Sequence, residues 1–531
     1  MIQITDNEIA AQAKYEIAQA LLNALAWQFW EGEKLLSSLT RESCEFSVEW
    51  GKLIFARWDH EQSQSWRVTA YEINEAEIRF QATRGMGREI VNFTLRDPVR
   101  WQAVKAQDLS VIERRAKFSE LLTEIICAHF AEARVQRVSV RSKNSTASPG
   151  QYVRLWLKLK KENMMAIGIN ESEKQADFDG IIAAGLASVS EFKQPVTRLW
   201  LCVPKDHNQT ILERLTLLDT TQHNFKIECF EINENDRAMI SLRPFSQAEL
   251  LSLHPRGLIW PEQKTKLRSI WRERILRLAP KLIEVREDVK QSFESFSIHG
   301  LEFARTYDAE RERVKFGVAS YTDEIAEKFY RANETGRKIL SERNFAELEK
   351  LTREIIAHRR ADTPDLRHPF YRLRTESWLE SLLRRDIRVL DATLDPCFVY
   401  SQIPAWLGEE RSVLDLLTIN HEGRVVVIEI KAAEDAQLPL QGLDYWLRVE
   451  QARIRGEFAR RGLFAGIALA DKSPLLYLVA PRLRFHRSFN LLANCLAPEV
   501  EAYQIGLNSN WRAGVKVNSK EQLGISIAPN K

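Results

Sequence analysis

Residues 411–431 read RSVLDLLTINHEGRVVVIEIK. Two apolar runs flank a polar turn, which predicts a β-hairpin. Side chains alternate across a strand, so Glu429 and Lys431 share a face with Val425 and Val427, while Val426, Ile428 and Ile430 line the other. A three-residue loop, His421-Glu422-Gly423, with the glycine in the left-handed position, pairs Asn420 with Arg424. Asp415 then stands opposite Glu429, their Cβ atoms roughly 4.5–5.5 Å apart, a spacing at which like charges repel. An apolar hairpin accommodates such a pair when a cation lies between the carboxylates. The stretch therefore predicts a metal site.

Around the hairpin the pattern predicts a helix at RTESWLESLLRRDI, a strand at FVYSQIPAW, and a helix at LPLQGLDYWLRVEQARIRGEFARR with Pro439 in its first turn. Strand PLLYLVAP, a helix around FNLLANCL and strand VEAYQIG complete the run. Gln441 and Tyr445 lie four apart and so on one helical face, as do Glu376 and Glu380.

Over roughly residues 370–515, this order and these residues resemble the PD-(D/E)xK phosphodiesterase (restriction-endonuclease-like) superfamily, in its recombination and repair nuclease branch. The motif elements are Asp415, then Glu429-Ile430-Lys431, a glutamate on the preceding helix (Glu376 or Glu380), and Gln441 with Tyr445 on the following one. Leu414 stands where the family usually has proline. The resemblance implies a nuclease whose Asp415, Glu429 and Ile430 carbonyl hold Mg²⁺ or Mn²⁺, with Glu376 or Glu380 bound directly or through water. Sequence leaves the choice between those two glutamates open, with Glu376 preferred. Lys431 is expected to orient or deprotonate the attacking water and to stabilise the phosphorane, and Gln441 and Tyr445 to steady the phosphate or Lys431. A divalent cation held by carboxylates suits this chemistry because phosphodiester cleavage builds negative charge on oxygen. DNA is the expected partner, in repair, recombination or defence. The rivals are an inactive nucleic-acid-binding or assembly protein on the same fold, and an RNA-directed enzyme. A protein partner or homo-oligomer stays open, and without a GxxxxGK[ST] motif any ATP coupling requires a partner.

The plainer reading of Glu429 and Lys431 is a salt bridge on an exposed sheet. VVVIEIK, however, is almost continuously apolar and reads as a buried strand, where ionised groups are costly unless paired or metal-bound.

At 531 residues the chain is too long for one core, and its fold class reads as α/β, or α+β across several domains. Residues 1–108 comprise an N-terminal helix reaching to about Gly32, then a small β-rich module. Residues 109–260 alternate strands and helices, 261–365 form a charged, largely helical connector with one possible hairpin, 366–518 carry the nuclease-like pattern, and 519–531 form a tail. The middle domain parallels the last in apolar pattern. Laid on it without gaps, Arg154 falls at Asp415, Gly168 at Glu429, Asn170 at Lys431, and Gly180 and Ala184 at Gln441 and Tyr445. A silent copy and an unrelated α/β domain explain this equally.

A net charge of +3 permits nucleic-acid binding without demanding it. The basic segment Lys264, Lys266, Arg268, Arg272, Arg274, Arg277 and Lys281 reads first as a solvated helix with pairs such as Glu273–Arg277, and second as a phosphate-contacting surface. Arg482, Arg484, His486 and Arg487 follow a strand near the expected site. Trp378 and Trp446 are expected to pack around its helices. Six scattered cysteines make neither a disulfide framework nor a metal spacing. The N-terminus has no basic-then-apolar pattern, and no apolar run spans a bilayer, so a cytoplasmic, membrane-free protein is expected.

Overall fold

The computed structural model describes the chain apart from residues 1, 22–23, 25, 33, 41–42, 50, 59–62, 75, 85–88, 99–110, 142–148, 174, 191–193, 206, 222–224, 254–256, 261–269, 289–292, 309–312, 319–336, 408–409 and 525–531. The protein is mixed α/β and divides into two compact units, Met1–Lys117 and Phe118–Lys531. No helix among the described residues is long and apolar enough to cross a membrane.

The first unit holds helix α1 (Asn7–Leu21) and eight strands: β1 (Ile2–Gln3), β2 (Trp27–Glu31), β3 (Lys34–Leu39), β4 (Cys44–Glu49), β5 (Lys52–Trp58), β6 (Ser63–Ile73), β7 (Glu77–Arg84) and β8 (Glu89–Arg96). They form one sheet in the order β3-β2-β8-β7-β6-β5-β4, with β1 on β6. The expected helix to Gly32 ends at Leu21, and WQFWE is strand. Trp27 and Phe29 alternate inward with Gln28 and Trp30 less buried, and large aromatics fit a pleated, half-buried surface.

The second unit begins on α2 (Val111–His129), followed by β9 (Ala133–Arg141), β10 (Pro149–Leu159), β11 (Glu162–Ile169), α3 (Gln175–Asp179), α4 (Ile181–Ser190), β12 (Arg198–Pro204), α5 (Gln209–Thr216), β13 (Lys226–Asn233), β14 (Ala238–Leu242) and α6 (Gln247–Ser252). The strands lie in sequence order, antiparallel except for the two parallel pairs β11–β12 and β12–β13. Phe118 and Leu122 of α2 pack with Met164 and Ala166 on one face of β11, and the α4 side takes Met165, Ile167 and Ile169 on the other.

The connector is a sheet rather than a run of helices. After α7 (Trp271–Leu278) come β15 (Ile283–Asp288), β16 (Phe293–Ile298), β17 (Leu301–Asp308), β18 (Arg313–Phe316) and β19 (Lys338–Ile339), paired antiparallel in that order, then α8 (Phe345–His358). The helix stops just before Pro280, whose missing N–H and ring disfavour a further turn, and the β-branched Ile283 and Val285 then alternate with Glu284 and Arg286. Lys264, Lys266 and Arg268 lie outside the described residues. Arg272 pairs with Glu294, Arg274 with Glu342, and Arg277 with Glu273 at 3.4 Å, the last pair exposed to solvent, so each of these three cations has a carboxylate neighbour.

The last part contains α9 (Pro369–Arg372), α10 (Thr375–Arg385), β20 (Tyr400–Leu407), β21 (Glu410–Ile419), β22 (Val425–Ile430), α11 (Leu438–Ile454), α12 (Glu457–Arg460), β23 (Leu475–Pro481), α13 (Phe489–Ala493), β24 (Ala502–Leu507) and β25 (Val517–Gln522). Its sheet also runs in sequence order, with β22–β23 and β23–β24 parallel and the other pairs antiparallel. β25 crosses position 518, so part of the expected tail is edge strand. Val426, Ile428 and Ile430 face α10, whereas Val425 and Val427 share a core with α11.

The gapless superposition of the two sheets needs one correction. The β10–β11 turn contains only Lys160 and Lys161, one residue fewer than the loop between Asn420 and Arg424. A one-residue slip turns every side chain to the other face. Ile167 pairs with Leu201 in the parallel step, as Glu429 pairs with Leu478. Arg154 keeps the place of Asp415, but Ile167 and Ile169, not Gly168 and Asn170, occupy those of Glu429 and Lys431.

Candidate active site

β21 and β22 pair with Leu416 opposite Ile428 and Ile419 opposite Val425, and the ladder ends one residue short of Asp415 and Glu429. Asn420 N–H donates to the Arg424 carbonyl at 2.9 Å, and Gly423 takes φ 77°. A Cβ on Gly423 would overlap the Ala468 carbonyl, so both dihedral and space require glycine there.

Asp415 Oδ2 accepts from the Ile430 N–H at 2.9 Å. Lys431 Nζ lies 3.1 Å from Glu429 Oε1. The salt bridge of the plainer reading therefore exists, but inside the fold: Glu429 is 2% exposed. Its other oxygen, Oε2, is buried with no hydrogen-bond partner. Burial drives the Asp415 carboxyl up to about 7, against the pull of Lys431 and the Ile430 N–H. Burial, then the Asp415 charge, drives Glu429 well above the usual carboxylate range. Lys431 moves the other way from a typical buried lysine. Burial works to lower it, yet Glu429, Glu376 and Asp415 together hold it above its ordinary value. One ammonium faces two buried acids, and the cluster has an excess affinity for positive charge.

That excess, with an orphaned carboxylate oxygen, fits a cation beside Asp415 and Glu429. Among the described residues, however, no three His, Cys, Asp or Glu side chains converge closely enough to hold a metal by themselves. Glu376 is exposed in the first turn of α10. Glu380 is buried and committed elsewhere: Arg286 Nη2 donates to Oε1 at 2.8 Å and Gln402 Nε2 to Oε2 at 2.9 Å. Burial raises Glu380, and Arg286 opposes that shift.

On α11, Gly442 makes close packing possible, since a Cβ there would stand 2.5 Å from Leu478. The approach brings the helix face carrying Gln441 and Tyr445 toward β22. Tyr445 hydrogen-bonds Ser412, and burial followed by the Glu429 charge raises its hydroxyl pKa. Gln441 Oε1 is buried without a hydrogen-bond partner. The Ile430 side chain belongs to the α10 core, and its N–H is the atom that meets Asp415.

A cleft of about 770 Å³ opens where β22 ends, lined by Glu376, Ala432, Arg372, Arg374, Arg484 and Arg512 among others. Arg484 was legible as part of a basic loop. Arg372 and Arg374 flank Leu373 just before α10 and could have been noticed. Nothing local marks Arg512, whose guanidinium lies 4.3 Å from the Trp511 ring centroid and 5.0 Å from that of Trp378. His486 bonds Ser488 in its own turn, at 2.7 Å from Nδ1 to Oγ.

The α10 helix is held from behind by the five-stranded sheet. Glu284 of β15 receives Arg384 at 2.7 Å, Arg385 at 2.8 Å, and the Ser381 hydroxyl. Gly300 packs against the Ser377 carbonyl without room for a Cβ. Arg359 is 1% exposed and donates to the carbonyls of His299, Phe370, Leu373 and Arg374. This fixes the turn in which Arg374 adopts φ 49° before α10 starts. Trp378 lies beneath, stacked with His299 at 5.3 Å, while Trp446 Nε1 donates to the Pro474 carbonyl at 2.8 Å. No protein-family model, no curated protein and no solved structure matches this chain.

Proposed function

We propose that residues 366–522 form a restriction-endonuclease-like domain that hydrolyses phosphodiester bonds in nucleic acid, with DNA as the substrate. One observation carries the reading: a buried Asp415–Glu429–Lys431 cluster with an unpartnered carboxylate oxygen, whose lysine directly precedes Ala432 in the wall of an arginine-lined cleft. The sheet order supports it too, because three antiparallel strands, a helix and a parallel strand follow a helix that bears glutamate.

Asp415 and Glu429 are the residues to hold Mg²⁺ or Mn²⁺, which supplies charge neutralisation at the phosphoryl oxygens when bound. A two-carboxylate set suits Mg²⁺, which commonly keeps several waters and takes its remaining ligands from substrate phosphate. Lys431 is suited to orient the water and to stabilise negative charge. The arginines of the cleft bind and position the strand. In the reaction a water oxygen bonds to phosphorus, the bond from phosphorus to one sugar oxygen breaks, and the proton released by water ends on that oxygen.

The direct Glu429–Lys431 contact favours one rival, a protein that binds nucleic acid without turnover. The test is incubation of the full chain with Mg²⁺ or Mn²⁺ and labelled single- and double-stranded DNA and RNA, beside Lys431→Ala. Metal-dependent DNA cleavage that falls by about a hundredfold or more in the variant, the size of a typical acid–base or electrostatic contribution, supports the hydrolase. Binding without cleavage under every condition supports the rival.

A further inference from the structure

Leu218 and Leu496 form an isolated antiparallel bridge. Beside it, Asp219 N–H donates to the Cys495 carbonyl at 2.7 Å, and Ala497 N–H donates to the Leu217 carbonyl at 2.9 Å. ILERLTLL (211–218) precedes β13 as FNLLANCL (489–496) precedes β24, which makes Leu217, Leu218 and Asp219 the counterparts of Cys495, Leu496 and Ala497. Each hydrogen bond thus becomes the other when the two sheets are exchanged, and the bridging residues are counterparts of each other. A contact in which residue i meets j and the counterpart of j meets that of i is the mark of a two-fold relation. Helices α5 and α11 lock the two sheets together further. Arg214 of α5 binds Asp444 of α11 through two bonds, at 2.9 and 2.6 Å, and Glu213 receives Arg448 at 2.6 Å, all four residues buried. Leu440, Leu492 and Cys495 join the core of the middle sheet, and Leu217 and Leu250 join that of the last.

The two sheets share strand order, pairing sense and helix placement, but only one carries the charged cluster. Arg154, at the place of Asp415, is turned onto Ser188 Oγ at 2.8 Å and the Tyr152 carbonyl at 3.2 Å. Ile167 and Ile169 fill the places of the acid and the ammonium with buried hydrocarbon. We infer that residues 118–522 are an internal pair of nuclease-like folds with a single hydrolytic centre, so that the protein opens one strand of a duplex per encounter. The inference rests on the hydrolase reading above. A symmetric pair with two centres faces both antiparallel strands at once, whereas this one must release and rebind, or recruit a second chain, to cut the other strand.

The experiment is a time course on supercoiled plasmid with Mg²⁺ or Mn²⁺ and protein below the plasmid concentration, with Lys431→Ala as control. Nicked circle is the expected first product, with linear DNA appearing only after a lag, and both lost in the variant. Linear DNA formed first, with no nicked precursor, overturns the single-centre inference while leaving the hydrolase intact. Plasmid that is bound but never cut with either cation overturns both.

Discussion

Arg286, on the edge strand of the five-stranded sheet, holds Glu380 at 2.8 Å and so commits that carboxylate to a buried ion pair. Glu376, one turn earlier on the same helix face, is left facing the cleft. The two should respond oppositely to substitution. Glu376→Gln is expected to lower metal-dependent cleavage by about ten- to a hundredfold, as loss of a supporting metal-site group does, with an unchanged melting temperature. Glu380→Ala leaves Arg286 without its partner and should cost about 3 kcal/mol in a urea titration. A destabilised Glu376→Gln with full activity would reverse the assignment.

The arginines of the cleft are expected to act through phosphates. Arg484→Ala should weaken DNA binding about equally across sequences and reduce the salt slope of log K by about 1, read by fluorescence anisotropy over a salt series. A sequence-selective loss would mean that this side chain reads bases instead.

The buried pairs between α5 and α11 bind the two sheets together. Arg214→Ala should destabilise the second unit by about 3–5 kcal/mol, because Asp444 is left charged and dry. Joint replacement, Arg214→Met with Asp444→Leu, should recover much of that loss. Chemical denaturation of both variants checks this, and equal losses would show that packing rather than charge carries the contact.

His299 supplies a pH dependence. Burial, with Arg385 and Arg359 nearby, pushes its imidazole down to about 4, and Nδ1 has no hydrogen-bond partner. Between the ordinary value of 6.5 and about 4, the unfolded chain takes up a proton that the folded one refuses. Stability conferred by the neutral ring is complete above 6.5 and is lost as pH falls through that window. Melting temperatures from pH 7 to 4 should fall less steeply in His299→Phe, which keeps the ring over Trp378.

The hairpin of the site was legible because its determinants are local. A glycine at the third loop position and an uninterrupted apolar strand are enough to set the register from Ile419–Val425 to Leu416–Ile428. Gln441 and Tyr445 were readable for the same reason, since helical periodicity alone puts them on one face. The connector was misread because KLIEVRED carries charges at spacings a helix also tolerates, and WQFWE was misread because its five residues prolong the apolar stripe of LLNALA and are too few to mark a change of period. In the middle sheet, a turn shortened by one residue moved the true counterparts from Gly168 and Asn170 to Ile167 and Ile169.

Local chemistry along the chain thus determined where strands turn, which side chains share a face, and that two acids and a lysine meet. Tertiary structure alone decided which glutamate stays free, since the arginine that claims Glu380 comes from a strand 94 residues away. It alone joined the two sheets through Leu218 and Leu496 and gathered arginines from three separate segments into one cleft. Those outcomes depend on which surfaces are buried against each other, and no periodicity of 2 or 3.6 residues records that.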